Sequence, residues 1–551
     1  MSMVMTGGRA LVEQLSAAGV DAVFCVPGES YLPVLDGLYD LPHQIPVYSC
    51  RHDGGAAYMA EAQGKLTGRP GICFVTRGPG ACNAAIAVHV AHQDSTPMVL
   101  FVGQVETPFL GREAVQEIDY LHMFADVAKH VLQAERASDV APLAGRAIEL
   151  ACSGRPGPVV VALPEDVLSA EAEFQISAPD IAKVSNVDPA DLAAFQRLLA
   201  ASQRPMIIIG GSQWDERSTT RLQEFAGANS IPVCCAFRRH DIFDNTDRHF
   251  AGYLGLNADP ALWKRVEHAD CIVALGTRLD QSTTRGYGFY DSRAPDKCLI
   301  HICSDPSQLG RNFETNLAIE ADSAAFVEAL ASLLKFERPA WKAWCDEAHR
   351  DFLARSTPTA NGAKLDLGKA MSVLNTFLPD DAIVTMDAGN FTAWPQRFRR
   401  YRRPGRLLAP LNGAMGYGVP AAVAASLVAP QRSVIGFVGD GGMLMTGNEL
   451  ATAVQYGACP IILVINNSMY GTIRLHQERA YPGRSIATEL RNPDFAALAQ
   501  AFGAYGAVVD EDEEFAPALE EARESALPAV LELRVDPDET IPGLRFSEMG
   551  L

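Results

Sequence analysis

The sequence predicts an α/β fold made of three doubly wound domains with mainly parallel sheets. Three observations carry that expectation. Short, uninterrupted apolar runs alternate with longer amphipathic segments from end to end, as in strands buried on both faces and separated by covering helices. The 551 residues, 48% hydrophobic and 20% charged, are of ordinary globular composition. That length exceeds what one core accommodates at about 100 to 200 residues per domain. Two breaks rich in Pro, Ser and Asn, Ser177 to Pro189 and Ser356 to Gly362, interrupt the pattern and set domains at 1–176, 187–355 and 363–551.

In the first domain the strands are DAVFCVPG, GICFVTRG, PMVLFVGQ and GPVVVALP, each closing on Gly, Pro or a polar residue where a helix takes over. The second domain offers PMIIIGG, DCIVALGTR and CLIHICSD, and the third DAIVTMDAG, SVIGFVGD, PIILVINN and PAVLELRV. No short repeat is visible, although the first and third domains end their strands in similar Gly-rich turns.

Charge excludes several functions. A formal net charge of −20 repels phosphate backbones and anionic membrane surfaces, so neither nucleic acid nor membrane is an expected partner. The start MSMVMTGGRALVEQL has no basic region followed by an apolar core, no later run suits a membrane span, and a cytoplasmic protein is expected. The 12 cysteines include no CxxC pair, which speaks against a zinc or redox motif and for reduced, buried small hydrophobes.

The strongest chemical signal lies in the third domain. Strand SVIGFV runs into Gly439-Asp440-Gly441-Gly442, and strand PIILVI ends at Asn466-Asn467. Between them, Thr446 to Gly457 reads as a helix opened by a Thr-x-x-Glu capping box, Thr446 and Glu449, and stopped by glycine. An Asp and an Asn at the carboxyl ends of neighbouring strands supply hard oxygen ligands, and glycines let backbone approach a diphosphate. Mg²⁺ favours oxygens shared between protein and phosphate. A bare GDG is equally an ordinary turn; the 27-residue spacing to Asn467 makes it a diphosphate and Mg²⁺ site.

The stretch GDGGMLMTGNELATAVQYGACPIILVINN resembles the thiamine diphosphate binding motif, and the chain is similar to the acetolactate synthase and 2-oxo acid decarboxylase superfamily. RHDGGAAYMAEAQGKLTGRPG, VTRGPGACNA and GPVVVALPEDV look like its pyrimidine-binding domain; DAGNFTAW, NGAMGYGVPAAVAA and NNSMYGTIRLHQ look like its diphosphate-binding domain. The resemblance implies Mg²⁺ on Asp440, the Asn467 side chain and the Met469 carbonyl. It implies a cofactor lined by Gly389, Asn390, Gly413, Gly441, Gly442, Tyr470 and Gly471, with Pro27, Pro79 and Asn83 around the pyrimidine ring. Met415 would hold the cofactor bent, and a carboxylate must activate the pyrimidine as a base. The family's Glu is replaced here by Asp53, one methylene shorter; capping of the following helix is the alternative role for Asp53. Relatives build this site between two subunits, so a homodimer or homotetramer is implied.

The nearest likeness is to acetolactate synthase, where Gln116 and Lys129 would line the substrate approach; a loop glutamine and a surface lysine are the plain alternatives. Val115 and His476 stand where that enzyme has Phe and Trp, and Asn390-Phe391 replace Gln-His, so the acceptor pocket should differ. His52, His89, His92 and His476 are candidate proton shuttles. Gly210, Gly211, Gly276 and Arg278 match FAD-binding positions, whereas Ser282 and the stretch AFRRHDIFDN depart from them. The activity implied is 2-oxo acid decarboxylation with carboligation. The alternatives are a simple decarboxylase or 2-hydroxy ketone lyase, of the benzoylformate decarboxylase and benzaldehyde lyase kinds, and an idle cofactor-binding homologue.

Overall fold

The computed structural model describes residues 3–41, 45–181, 187–212, 214–291, 293–294, 296–333, 336 and 339–549. Residues 182–186 of the first expected break lie outside them. Three six-stranded parallel sheets form, each from one expected domain. The first runs Val47–Ser49, Val23–Cys25, Gly71–Val75, Met98–Gln104, Pro158–Pro164, His130–Gln133 across the sheet. The third, Leu407–Leu408, Ile383–Met386, Val434–Gly439, Ile461–Asn466, Ala529–Arg534, Tyr505–Val509, has the same sequential order, 2-1-3-4-6-5. That shared order is a kinship the sequence hinted at only in its turns. The central sheet instead has the nucleotide-fold order 3-2-1-4-5-6, from Phe250–Tyr253 through Pro205–Ile209 to Leu317–Glu320. One antiparallel pair, Met3–Thr6 with Glu171–Phe174, ties the beginning of the first domain to its end.

The first and third domains share one hydrophobic core. Helix Asp53–Thr67 lays Ala56, Ala57 and Ala60 against Ala421, Ala422 and Ala425 of helix Gly418–Val428, and small side chains let the two backbones approach closely. Beside this seam Lys65 is buried with the carboxylates of Asp94 and Glu61, while Tyr417 donates to Glu61 at 2.6 Å and the Leu411 amide donates to Asp94 at 2.7 Å. A cation buried between two carboxylates is costly to remove. Lys65→Met should lower unfolding free energy by about 3 to 5 kcal/mol, read from urea melts; an unchanged midpoint would show that the cluster contributes nothing.

Eight cysteines are buried, as expected, but Cys82, on helix Pro79–Asp94, and Cys459, just after the glycine stop at Gly457, are exposed. No helix among the described residues is long and apolar enough to cross a membrane.

Candidate active site

In an open parallel sheet, ligands lie beyond the carboxyl ends of the strands where chain order reverses. In the third domain that point falls between Ile383–Met386 and Val434–Gly439. The first strand delivers Gly389 and Asn390, the second Asp440, Gly441 and Gly442, and the next, Ile461–Asn466, delivers Asn467 to Gly471. These residues, with Gly413 and Met415, line one cavity of about 380 Å³. Every third-domain residue marked from the sequence for the cofactor is therefore in one place.

Asp440 opens helix Asp440–Thr446 and is buried. Burial pushes its carboxyl above the ordinary range, opposed by Asn492, whose amide donates at 2.8 Å, and by the amides of Gly441, Ser468 and Met469. Asn492 also donates to Asn466 at 2.9 Å, bracing the two strand ends. The Met469 amide donates to Asn467 Oδ1 at 3.2 Å, and Ser468 takes φ 56°, so the chain turns sharply there. A single carboxylate, an amide oxygen and a nearby carbonyl make an incomplete set for a hard cation, one that phosphate oxygens would complete. The described residues hold no group of three His, Cys, Asp or Glu placed for a metal. Asn390 Nδ2 and Thr472 Oγ1 are buried in the cavity wall without hydrogen-bond partners, as donors awaiting an anionic ligand. A Cβ on Gly442 would collide with the Asp387 carboxylate, so a glycine lets the first turn of this helix pack against that side chain.

The loop carrying Met415 is held from several sides. Tyr58 donates to the Met415 carbonyl at 3.3 Å, Thr446 to the Gly416 carbonyl at 2.7 Å, and the Gly416 amide donates to Asp387 at 3.0 Å. Asp387 also accepts from Ala388 at 2.8 Å, and burial pushes its carboxyl up to about 6. The capping box expected at Thr446 and Glu449 does not form. The helix begins directly off the strand at Asp440, so Thr446 ends a helix instead of opening one, and Glu449 lies in a short 3₁₀ turn. Buried Glu449 instead accepts from the amides of Arg51 at 3.1 Å and His52 at 3.0 Å, bracing the turn before Asp53.

In the first domain the reversal point lies between Val23–Cys25 and Gly71–Val75. Pro27 follows the first strand, and Pro79 opens helix Pro79–Asp94 after the second. Asn83 of that helix donates to Asp53 Oδ2 at 3.1 Å; Asp53 Oδ1 is buried without a partner. Asp53 does not cap its helix: His52 does, accepting from the Gly54 amide at 3.0 Å. Gln116 sits beside this group, over the Gly78 turn, with Arg77 donating to it at 3.3 Å. None of Pro27, Asp53, Pro79, Asn83 and Gln116 lines the third-domain cavity.

Other expected residues are placed elsewhere. Lys129 donates at 2.6 Å to the carbonyls of Leu150 and Ser153, closing helix Val140–Cys152; its ammonium serves a helix end. His476 is exposed on helix Gly471–Ala480 and does not line the cavity, whereas Ile473 does; His476 lies about one turn further along the helix, past the cavity. His92 is pushed down to about 4 by burial, and His89 pairs with Asn412 at 3.1 Å. Gly210, Gly276 and Arg278 are occupied by packing. A Cβ on Gly276 would strike the Gly210 carbonyl, one on Gly211 the Gly276 carbonyl, and Arg278 donates to the Gln93 carbonyl of the first domain. Of the residues marked for FAD, only Gly211 lines the cavity of about 680 Å³ at the junction of the domains.

A fold of three such domains with a strand-end diphosphate cradle defines an enzyme that uses thiamine pyrophosphate, the same compound as thiamine diphosphate. Models of the thiamine pyrophosphate enzyme N-terminal, central and C-terminal domains match residues 5–123, 192–330 and 387–533. The chain is 30% identical to the acetolactate synthase isozyme 2 large subunit of Escherichia coli, across 99% of each chain. It is 32% identical to the acetolactate synthase large subunit of Corynebacterium glutamicum, over 98% of this chain and 88% of that one. A probable acetolactate synthase large subunit of Methanocaldococcus jannaschii matches at 30%, over 98% and 93%. The chain belongs to the thiamine pyrophosphate-dependent enzyme family and is acetolactate synthase-like along its length.

Proposed function

We propose that this enzyme decarboxylates a 2-oxo acid and joins the remaining fragment to a second carbonyl compound, using Mg²⁺ with thiamine diphosphate. The observation that carries this reading is the divided site: a third-domain cavity with its unpartnered donors, and a first-domain carboxylate with one buried, unpartnered oxygen. Asp440, Asn467 and the Met469 carbonyl would hold the cation, and Gly389, Asn390, Gly441, Gly442, Tyr470 and Gly471 the diphosphate. Thiamine diphosphate supplies an acidic ring carbon and an electron sink. Asp53 Oδ1 would hold the proton shared with the pyrimidine ring, and Met415 would set the bend. That the first-domain residues do not line the same chain's cavity supports a site completed by a second copy, and a working unit of at least a homodimer.

A simple decarboxylase or 2-hydroxy ketone lyase is the second reading. It is favoured by the exposed Val115 and His476, which leave no aromatic wall from either position. Incubating the enzyme, thiamine diphosphate and Mg²⁺ with pyruvate, other 2-oxo acids and an aromatic acyloin separates the readings. CO₂ release with a 2-hydroxy-3-oxo acid product supports the first; aldehyde alone, or acyloin cleavage, supports the second; no turnover of any would leave the idle homologue.

A further inference from the structure

Arg77 stands in the first-domain half of the divided site, in the segment 76–80 that leaves strand Gly71–Val75 and opens helix Pro79–Asp94. That segment touches both Asp53 and Gln116. A Cβ on Gly80 would lie 3.1 Å from Asp53 Oδ1, and one on Gly78 would lie 2.7 Å from the Gln116 carbonyl oxygen. The Arg77 guanidinium crosses the mouth of the sheet: Nη2 pairs with Glu29 at 2.8 Å, Nη1 with Glu165 at 3.3 Å, and Nε donates to Gln116 Oε1 at 3.3 Å. Glu29 follows strand Val23–Cys25 and Glu165 follows strand Pro158–Pro164, so separate strand ends fix one planar fork, whose side chain is 15% exposed.

The loop that carries Gln116 is pinned beside it. Gln104 donates to the Ile118 carbonyl at 2.8 Å, the Gly78 amide donates to the Tyr120 hydroxyl at 2.8 Å, and Glu117 accepts from the Ala114 amide at 2.9 Å. Gln116 takes φ 66°, a left-handed conformation uncommon outside glycine, and such strain collects at binding sites. With the backbone held, the amide is what remains open, since a glutamine can present either its carbonyl oxygen or its NH₂. A guanidinium carries only N–H donors and no acceptor, so it can meet only Oε1. Arg77 therefore turns Nε2 and its hydrogens the other way, where no acceptor among the described residues meets them.

We propose that Arg77 is a positioning residue for the reaction: by holding Oε1 it makes Gln116 a hydrogen-bond donor toward an oxygen of the 2-oxo acid. This rests on the 2-oxo acid reading above, in which the face that holds Asp53 and Gln116 meets the bound cofactor. An arginine suits the task because its fork serves Glu29, Glu165 and Gln116 at once, whereas a lysine's point charge would leave at least one of them unmet.

The test uses the holoenzyme with thiamine diphosphate and Mg²⁺, as wild type, Arg77→Met, Arg77→Lys, Gln116→Ala, Gln116→Glu and the double variant Arg77→Met/Gln116→Ala. In Arg77→Met, kcat/KM for CO₂ release from pyruvate and other 2-oxo acids should fall by about 3- to 10-fold, the worth of one hydrogen bond, and Arg77→Lys should recover only part of the loss. Adding Arg77→Met to Gln116→Ala should cost nothing further. Gln116→Glu separates a donor from a mere tether, because its carboxylate would pair with Arg77 and keep the loop in place yet offers no N–H. Its kcat/KM should fall as far as that of Gln116→Ala, and the fall should persist in high salt, where charge repulsion is screened. Wild-type kcat/KM in Gln116→Glu, a fall that vanishes in high salt, or additive losses in the double variant would each overturn the proposal. So would slowed C2 deuterium exchange in Arg77→Met without substrate, which would assign Arg77 to Asp53 and the cofactor. A second readout needs no turnover: oxamate, an unreactive 2-oxo acid analogue, should raise the melting temperature of the wild-type holoenzyme, and raise it less in Arg77→Met and Gln116→Ala. That pattern in an enzyme that releases no CO₂ from any 2-oxo acid would sink the functional reading and uphold the donor. Equal shifts in these proteins, or none in the wild type, would overturn the donor itself.

Discussion

Asp53→Ala should slow deuterium exchange at C2 of bound thiamine diphosphate by about 10²- to 10⁴-fold, the range supplied by a positioned acid–base group. The expectation follows from the orphaned Oδ1, buried beside the oxygen that Asn83 holds at 3.1 Å. Asp53→Asn should fall nearly as far, because it keeps the shape and loses the charge. Asp53→Glu tests position: an added methylene displaces the carboxylate by about 1 Å, enough to cost up to about 100-fold if the present placement is the working one. The turn before Asp53 is braced by Glu449 of the same chain, so the carboxylate has a fixed starting point. Exchange in Asp53→Ala that matched wild type would show that another group activates the cofactor.

The second large effect is expected at the cation. Asp440→Ala should abolish the tightening of thiamine diphosphate binding by Mg²⁺, followed by quenching of intrinsic fluorescence during a Mg²⁺ titration. Asn492→Ala, which removes only the amide that orients Asp440 at 2.8 Å, should weaken the same response by about 10- to 100-fold. Because burial raises the Asp440 carboxyl, the deprotonated form needed for a cation is lost sooner as pH falls than for an ordinary aspartate. Mg²⁺ dependence should therefore weaken in mild acid. A Mg²⁺ response in Asp440→Ala equal to that of wild type would place the cation elsewhere.

Much of this was legible in the chain. Strand ends are local events: an apolar run that stops at Asp-Gly-Gly or Asn-Asn declares both the strand and the residues at its mouth, and those residues line one cavity. Other features were hidden because their causes lie far along the chain. Glu449 looked like half of a capping box, but its acceptor oxygens serve amides 397 and 398 residues away. Lys129 looked like an approach residue, yet helix carbonyls 21 and 24 residues on claimed its ammonium. Gly210 and Gly276 stood far apart in the chain, and their contact exists only because their two strands end side by side. The Asp in DAIVTMDAG was visible, but its hold on the Gly416 amide was not.

By itself the amino-acid sequence determined the α/β class, the three-part organisation, the family and the two strand-end clusters, because periodicity and turn residues act over a few neighbours. Only the tertiary structure decided that the clusters stay apart within one chain and that Asp53 keeps a free oxygen. It also decided that Arg238 of the central domain lines that cavity, held on the Pro410 and Asp387 carbonyls. Those facts depend on how helices Asp53–Thr67 and Gly418–Val428 pack and where the central sheet docks, and burial then sets what each polar atom can still bind.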